Sequence, residues 1–161
     1  MIARLGPGDG ARLRALRLRA LADAPDAFAT TLVEAEAWGD ASWEDQAVAL
    51  PTFVWVDRGA DLGMVRVAPH DDDPEAAYLI SMWVAPEARG RGIGDALVAE
   101  VLGWARAHGR RRVYLDVGER NRPARALYER AGFVVSGVRG ALPAPRERVC
   151  EVQMRFDLPD A

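Results

Sequence analysis

One stretch constrains this chain more than any other: Val84-Ala85-Pro86-Glu87-Ala88-Arg89-Gly90-Arg91-Gly92-Ile93-Gly94. Before it, Ala77 to Val84 is rich in bulky apolar residues, as a central strand would be, and Pro86 closes it. After it, Gly92 to His108 reads as a helix whose Ile93, Leu97, Val101, Trp104 and Ala105 share a face, with Gly109 placed for a left-handed C-terminal cap. A strand therefore feeds a helix through a turn of glycine and arginine. Glycines let a phosphate approach the backbone, and the unpaired amides of a helix start carry partial positive charge, so the turn predicts an anion site; tight packing is the alternative use of the same glycines. Two nucleotide-binding loops are excluded. All 21 basic residues are arginine, so there is no Walker lysine, and a dinucleotide fingerprint would need glycine at Asp95 or Leu97.

The elements around this turn alternate in period. Ile2 to Leu5 is a short strand candidate, and a helix follows to about Ala24, with Leu13, Leu16 and Leu21 on one face. Thr31 to Ala37 and Ser42 to Leu50 read as short helices. Thr52 to Val56 and Leu62 to Ala68 form a hairpin across Asp57-Arg58-Gly59. Beyond the central helix come strand Val113 to Val117, helix Pro123 to Ala131 ended by Gly132, and strands Phe133 to Val138 and Val149 to Leu158. One α+β sandwich around a single sheet, spanning residues 1–161 as one domain, satisfies this order. In the last strand Cys150 alternates inward with Val152, Met154, Phe156 and Leu158, which reads as core filler.

Composition narrows the function. Two histidines and one cysteine give no metal-ligand spacing and no internal disulfide. No apolar run approaches the length of a membrane span, which predicts a cytoplasmic protein without a membrane partner. The net charge of −3 hides two unlike halves. Ala20 to Asp57 carries eight acids and no base, whereas Arg89 to Arg130 carries ten arginines against five acids.

A second pattern lies at Asn121-Arg122-Pro123-Ala124-Arg125-Ala126-Leu127-Tyr128-Glu129-Arg130-Ala131-Gly132-Phe133. It resembles the GNAT (Gcn5-related N-acetyltransferase) pattern Asn-x-x-Ala-x-x-Leu-Tyr-x-x-x-Gly-Phe at every named position. The earlier turn resembles that superfamily's acetyl-CoA motif, Gln/Arg-x-x-Gly-x-Gly/Ala, through Arg89, Gly92 and Gly94. The two cover Met82 to Phe133.

The resemblance implies a mostly antiparallel sheet flanked by helices, and an N-acetyltransferase moving acetyl from acetyl-CoA to a primary amine. It implies that the strands at Val84 and Val117 splay, that backbone around Met82, Trp83 and Val84 pairs with the pantetheine arm, and that Arg89, Gly90, Arg91, Gly92, Ile93 and Gly94 hold the diphosphate. Asn121 and Arg125 are expected along the cofactor. Direct attack by a neutral amine would pass through a tetrahedral oxyanion near the Val84 amide, with Tyr128 as general acid. The family's strand glutamate is missing here, so Asp116, Glu34, Glu36 or a water chain through Ser81 stay open as the route for the amine's proton. The part of the acidic stretch from Ala20 to Leu50, with seven acids, no base and Phe28, Trp38 and Trp43, suggests a cationic small-molecule or peptide amine as acceptor. A silent acyl-CoA sensor is the alternative class. Nucleic acid is not expected, since the charge is negative and the cofactor needs the arginines; the resemblance also allows a homodimer.

Overall fold

The computed structural model describes residues 1–160. The elements run β1 (Ile2–Arg4), α1 (Gly10–Asp23), α2 (Leu32–Glu36), α3 (Asp40–Ala49), β2 (Thr52–Asp57), β3 (Ala60–Pro69), β4 (Ala76–Val84), α4 (Ile93–Ala107), β5 (Arg112–Gly118), α5 (Arg122–Ala131), β6 (Val134–Ala141) and β7 (Cys150–Asp157), with a 3₁₀ turn at Pro25–Ala27. They build one seven-stranded sheet in the order β1-β2-β3-β4-β5-β7-β6. Only β4 and β5 are parallel. Their connection is α4, because a parallel pair needs a crossover that a tight turn cannot supply.

Helices cover both faces of the sheet. A side chain at Gly63 in β3 would meet Ile93 and Leu97 of α4. Arg66, at odd spacing from Gly63 and so on the other face, donates to Thr52 Oγ1 at 3.0 Å and to the Gln46 carbonyl of α3 at 2.7 Å. In α4 the buried residues Ile93, Leu97, Val98, Val101, Leu102 and Ala105 form the stripe that the 3.6-residue period dictates. Fully burying each large aliphatic side chain there contributes roughly 1.5–3 kcal/mol. In α1 the stripe is Leu13, Leu16, Arg17, Ala20 and Leu21. Gly10 lets α1 approach α3 closely, since a Cβ there would lie within 2.9 Å of Glu44. The Glu44 carboxylate in turn accepts from the amides of Gly8 and Gly10, closing the start of α1.

Two expectations change. Cys150 is exposed, not core filler. Its inward parity is right, but it is the first residue of β7, where the sheet ends beside a cleft that it shares with Pro25, Asn121 and Arg148. The strand expected from Phe133 begins one residue later and runs on to Ala141 as an almost wholly exposed edge; Phe133 itself packs at 5.9 Å from the Tyr128 ring.

Candidate active site

The parallel register of β4 and β5 holds only from Ala76–Arg112 to Tyr78–Tyr114. Beyond Tyr78 the two strands part, while β3 keeps its grip on β4 as far as Val84. Between the pairs Arg66–Ile80 and Met64–Trp83, β4 gains one residue on β3. Ser81 lies in that bulge with φ +56°, a left-handed conformation that costs a non-glycine residue about 1–3 kcal/mol. Arg17 reaches from α1 to tie it down, donating from Nη1 to Ser81 Oγ at 3.0 Å. Arg17 is only 6% exposed. Burial, with the nearby charge of Arg66, pushes its guanidinium down to about 10, so it is charged at neutral pH.

The bulge sets which way Val84 points. Ala85 N–H donates to Leu62 O at 2.8 Å, which marks Gly63–Val84 as a pair that exchanges no hydrogen bonds of its own. The N–H and C=O of Val84 therefore turn away from β3, toward the gap. Its carbonyl accepts from Arg89 Nε at 3.1 Å; its amide is left facing the gap.

On the α4 side the gap opens into a cleft of about 500 Å³. Met82, Trp83, Val84, Arg89, Gly90, Gly92, Ile93, Gly94 and Asn121 line it, joined by Asp23, Phe28, Leu127 and Arg130. Gly90 and Gly92 both have φ +76° and open space where a Cβ would stand. Gly92 caps α4, and Ala96 is the first amide of the helix to find a carbonyl, that of Gly92. The amides of the first turn are left to bind an anion. Gly94 serves packing, since a Cβ there would lie 3.1 Å from Leu127 of α5.

The arginines divide. Arg89 lines the cleft but pairs with Asp23, whose carboxyl Trp83 Nε1 (3.0 Å) and Arg89 hold below the usual range. Arg91 pairs with Asp57 at 2.9 Å, and Arg125 donates to Glu119 O at 3.4 Å; neither lines the cleft. Arg130, unmarked by either motif, does line it, paired with Asp95 at 3.3 Å. Its signal was available: Pro123, Leu127 and Arg130 share one stripe of α5 at spacings of four and three, whereas Arg125 falls on the far side.

Beyond the cleft, a smaller cavity of about 90 Å³ fills the gap itself, with Ser81, Met82, Asp116, Asn121 and Tyr128 among its walls. Asn121 caps α5, accepting from Ala124 N at 3.3 Å, and faces both spaces. Tyr128 is 5% exposed, and burial pushes its phenol far up, which keeps the proton on at neutral pH. Asp116 is open to solvent on one side, and partial desolvation raises its carboxyl above the usual range. Glu34 does not reach this cavity; it closes a capping box with Thr31. Glu36 is exposed and also lies outside it.

The acidic stretch is mostly spent on its own chain. Asp23 holds Arg89 and Trp83, Asp26 holds Arg148, Glu44 closes α1 and Asp57 holds Arg91. Among the described residues no group of three or more His, Cys, Asp or Glu is placed to hold a metal, and no helix is long and apolar enough to cross a membrane.

The overall fold is one shared with solved acetyltransferases. A GNAT-family acetyltransferase from Streptococcus pneumoniae superposes with a TM-score of 0.81 at 19% identity, covering 99% of each chain. A Salmonella typhimurium protein solved with acetyl-CoA as its cofactor gives 0.79 at 18% identity, over 100% of this chain and 95% of the other. The chain belongs to the Acetyltransferase (GNAT) family, whose family model matches residues 16–133. A mycothiol acetyltransferase from Beutenbergia cavernae is 33% identical over 81% of this chain, which spans only 43% of that relative's length.

Proposed function

We propose that the chain works as a single-domain N-acetyltransferase, taking the acetyl group of acetyl-CoA to a cationic primary amine. The observation that carries this reading is the continuity of the gap: Met82, Asn121 and Ala124 wall both the glycine-lined cleft and the small cavity holding Tyr128. The glycine cradle fits a diphosphate, and the parted edge of β4 fits the amides of an extended arm. Acetyl-CoA would supply an activated thioester at the gap.

The residues divide the remaining work. The first-turn amides of α4, with Arg89 and Arg130 at the rim, hold phosphate charge. The Val84 amide faces the gap and suits an oxygen that gains negative charge. Tyr128, protonated throughout the neutral range, holds the proton that a departing thiolate needs. An acceptor amine has a pKa of about 10.4 if lysine-like, so it must shed a proton before attack; Asp116, whose carboxyl is raised, is the acid at the cavity. The test is a panel of amines assayed for acceptor-dependent release of CoA thiol. Release with a subset of amines supports transfer; tight acetyl-CoA binding without acceptor-dependent release would leave a sensor instead.

A further inference from the structure

The sheet face away from α5 carries a group of side chains of which the proposed reaction uses only Asp116. Tyr78 and Tyr114 stand side by side as the last pair before β4 and β5 part, their rings 5.8 Å apart. Next along β5 on the same face comes Asp116, opposite Gln153 of β7, and Glu151 lies diagonally beyond, opposite Gly118. Gln153 Nε2 donates to Tyr78 Oη at 2.7 Å and its Oε1 accepts from Ser136 at 2.7 Å, which fixes this floor.

Asp116 and Glu151 differ from the other acids of the site. No hydrogen bond or ion pair reaches either among the described residues, partial burial raises both carboxyls, and Asp116 raises Glu151 further. The surrounding cations are committed elsewhere. Arg146 lowers Glu151 somewhat but spends its guanidinium on the carbonyls of Pro25, Phe28 and Ala29. Arg155, further along β7, pairs with Asp157 at 3.2 Å. A separate observation also points to a ligand here: Tyr128, 5% exposed, lines the cavity with Asp116, and no hydrogen bond reaches its hydroxyl among the described residues.

Two adjacent carboxylates exceed what one reacting amine can use. An ammonium gripped by both would keep its charge, and so its proton, and would not attack a thioester. Asp116 is within the cavity of the reacting end, which leaves Glu151 for a charge that does not react. Diagonal neighbours across two strands lie about 7–8 Å apart at Cα, a span that a short alkyl chain covers.

We propose that Asp116 and Glu151, over the aromatic floor of Tyr78 and Tyr114, form an acceptor subsite that selects short aliphatic diamines, one nitrogen reacting and the other held as ammonium. This rests on the acetyltransferase reading and names its substrate class.

Binding tests it apart from turnover. Cadaverine and pentylamine, equal in chain length, are titrated calorimetrically into the CoA-saturated protein, then into Asp116→Asn and Glu151→Gln, which keep side-chain shape. Cadaverine is expected to bind at least about tenfold more tightly than pentylamine, and Glu151→Gln should erase most of that ratio while CoA affinity stays unchanged. Equal affinity for the two amines, or a ratio untouched by both substitutions in folded protein, overturns the subsite. A preserved cadaverine preference with no acetyl transfer would keep the subsite and bring down the acetyltransferase reading instead.

Discussion

The two mouths of the gap are built on opposite plans. On the α4 side, the work falls to backbone: glycines at φ +76°, a helix start and a strand edge, with Arg89 and Arg130 at the rim, each paired with an acid. On the far side the work falls to side chains, and there no hydrogen bond or ion pair reaches the acids Asp116 and Glu151 among the described residues. A backbone device demands particular letters, because its left-handed torsions favour glycine and only a helix start frees its amides. A side-chain device can be filled in many ways. The first is therefore written as a motif, and the second is visible only after folding.

Substitutions can break this contrast, beginning with the largest effect. Gly92→Glu places a carboxylate at the cradle and a strained side chain at φ +76°, and acetyl-CoA affinity should fall by more than about 100-fold. Gly92→Asn is the control, since asparagine tolerates the left-handed region and carries no charge; its affinity should stay within several-fold of the parent. If both variants fold and bind normally, the cradle is not the phosphate site. Tyr128→Phe should cut turnover by about 10²–10⁴ with little change in acetyl-CoA affinity. Unchanged turnover between pH 6 and 9 would make Tyr128 a packing residue alone.

Arg146→Met loosens the β6–β7 connection from Pro25, Phe28 and Ala29. It should raise the acceptor KM several-fold while sparing the KM for acetyl-CoA, and equal changes in both would remove the distinction between the two mouths. The smallest effect is thermal. Folding raises the Asp116 and Glu151 carboxyls, so the stability they contribute is present at low pH and is lost as pH rises through the folded value. At pH 7 the double variant Asp116→Asn, Glu151→Gln should therefore melt roughly 1–3 °C above the parent. In acid, where the parent is protonated in both states, the gap should close. A lower melting temperature at pH 7 would show that these carboxylates hold the fold together.

Much of the scaffold was legible because local rules agreed with the whole. The alternation of Val113, Leu115 and Val117, the left-handed glycine at 109 and the helix end at Gly132 all stand where the letters put them. What escaped depends on distance. Arg146 reaches carbonyls more than a hundred residues earlier, and no local pattern announces such a strap. The Ser81 bulge hides for another reason, since a serine carries no mark of positive φ. Arg17 could have been suspicious on spacing alone, lying within the apolar stripe of α1 where a solvated arginine would not. The acidic stretch is less legible, because charge counts do not say which acids the chain consumes for itself.

The early end of the β4–β5 register has one more consequence. An open sheet normally has two outer rims, where unpaired backbone invites any passing strand. This sheet has a third, along β4 from Leu79 to Val84, recessed between two strands of its own interior. Thickness guards that inner rim better than charge could. A folded partner or a β-strand bearing side chains on both faces is too broad to enter between neighbours that have merely parted, so the rim stays quiet toward other chains. An unbranched arm with amides along its length is slim enough to reach it, and the same recess that prevents aggregation acts as a size filter for what can be recognised there.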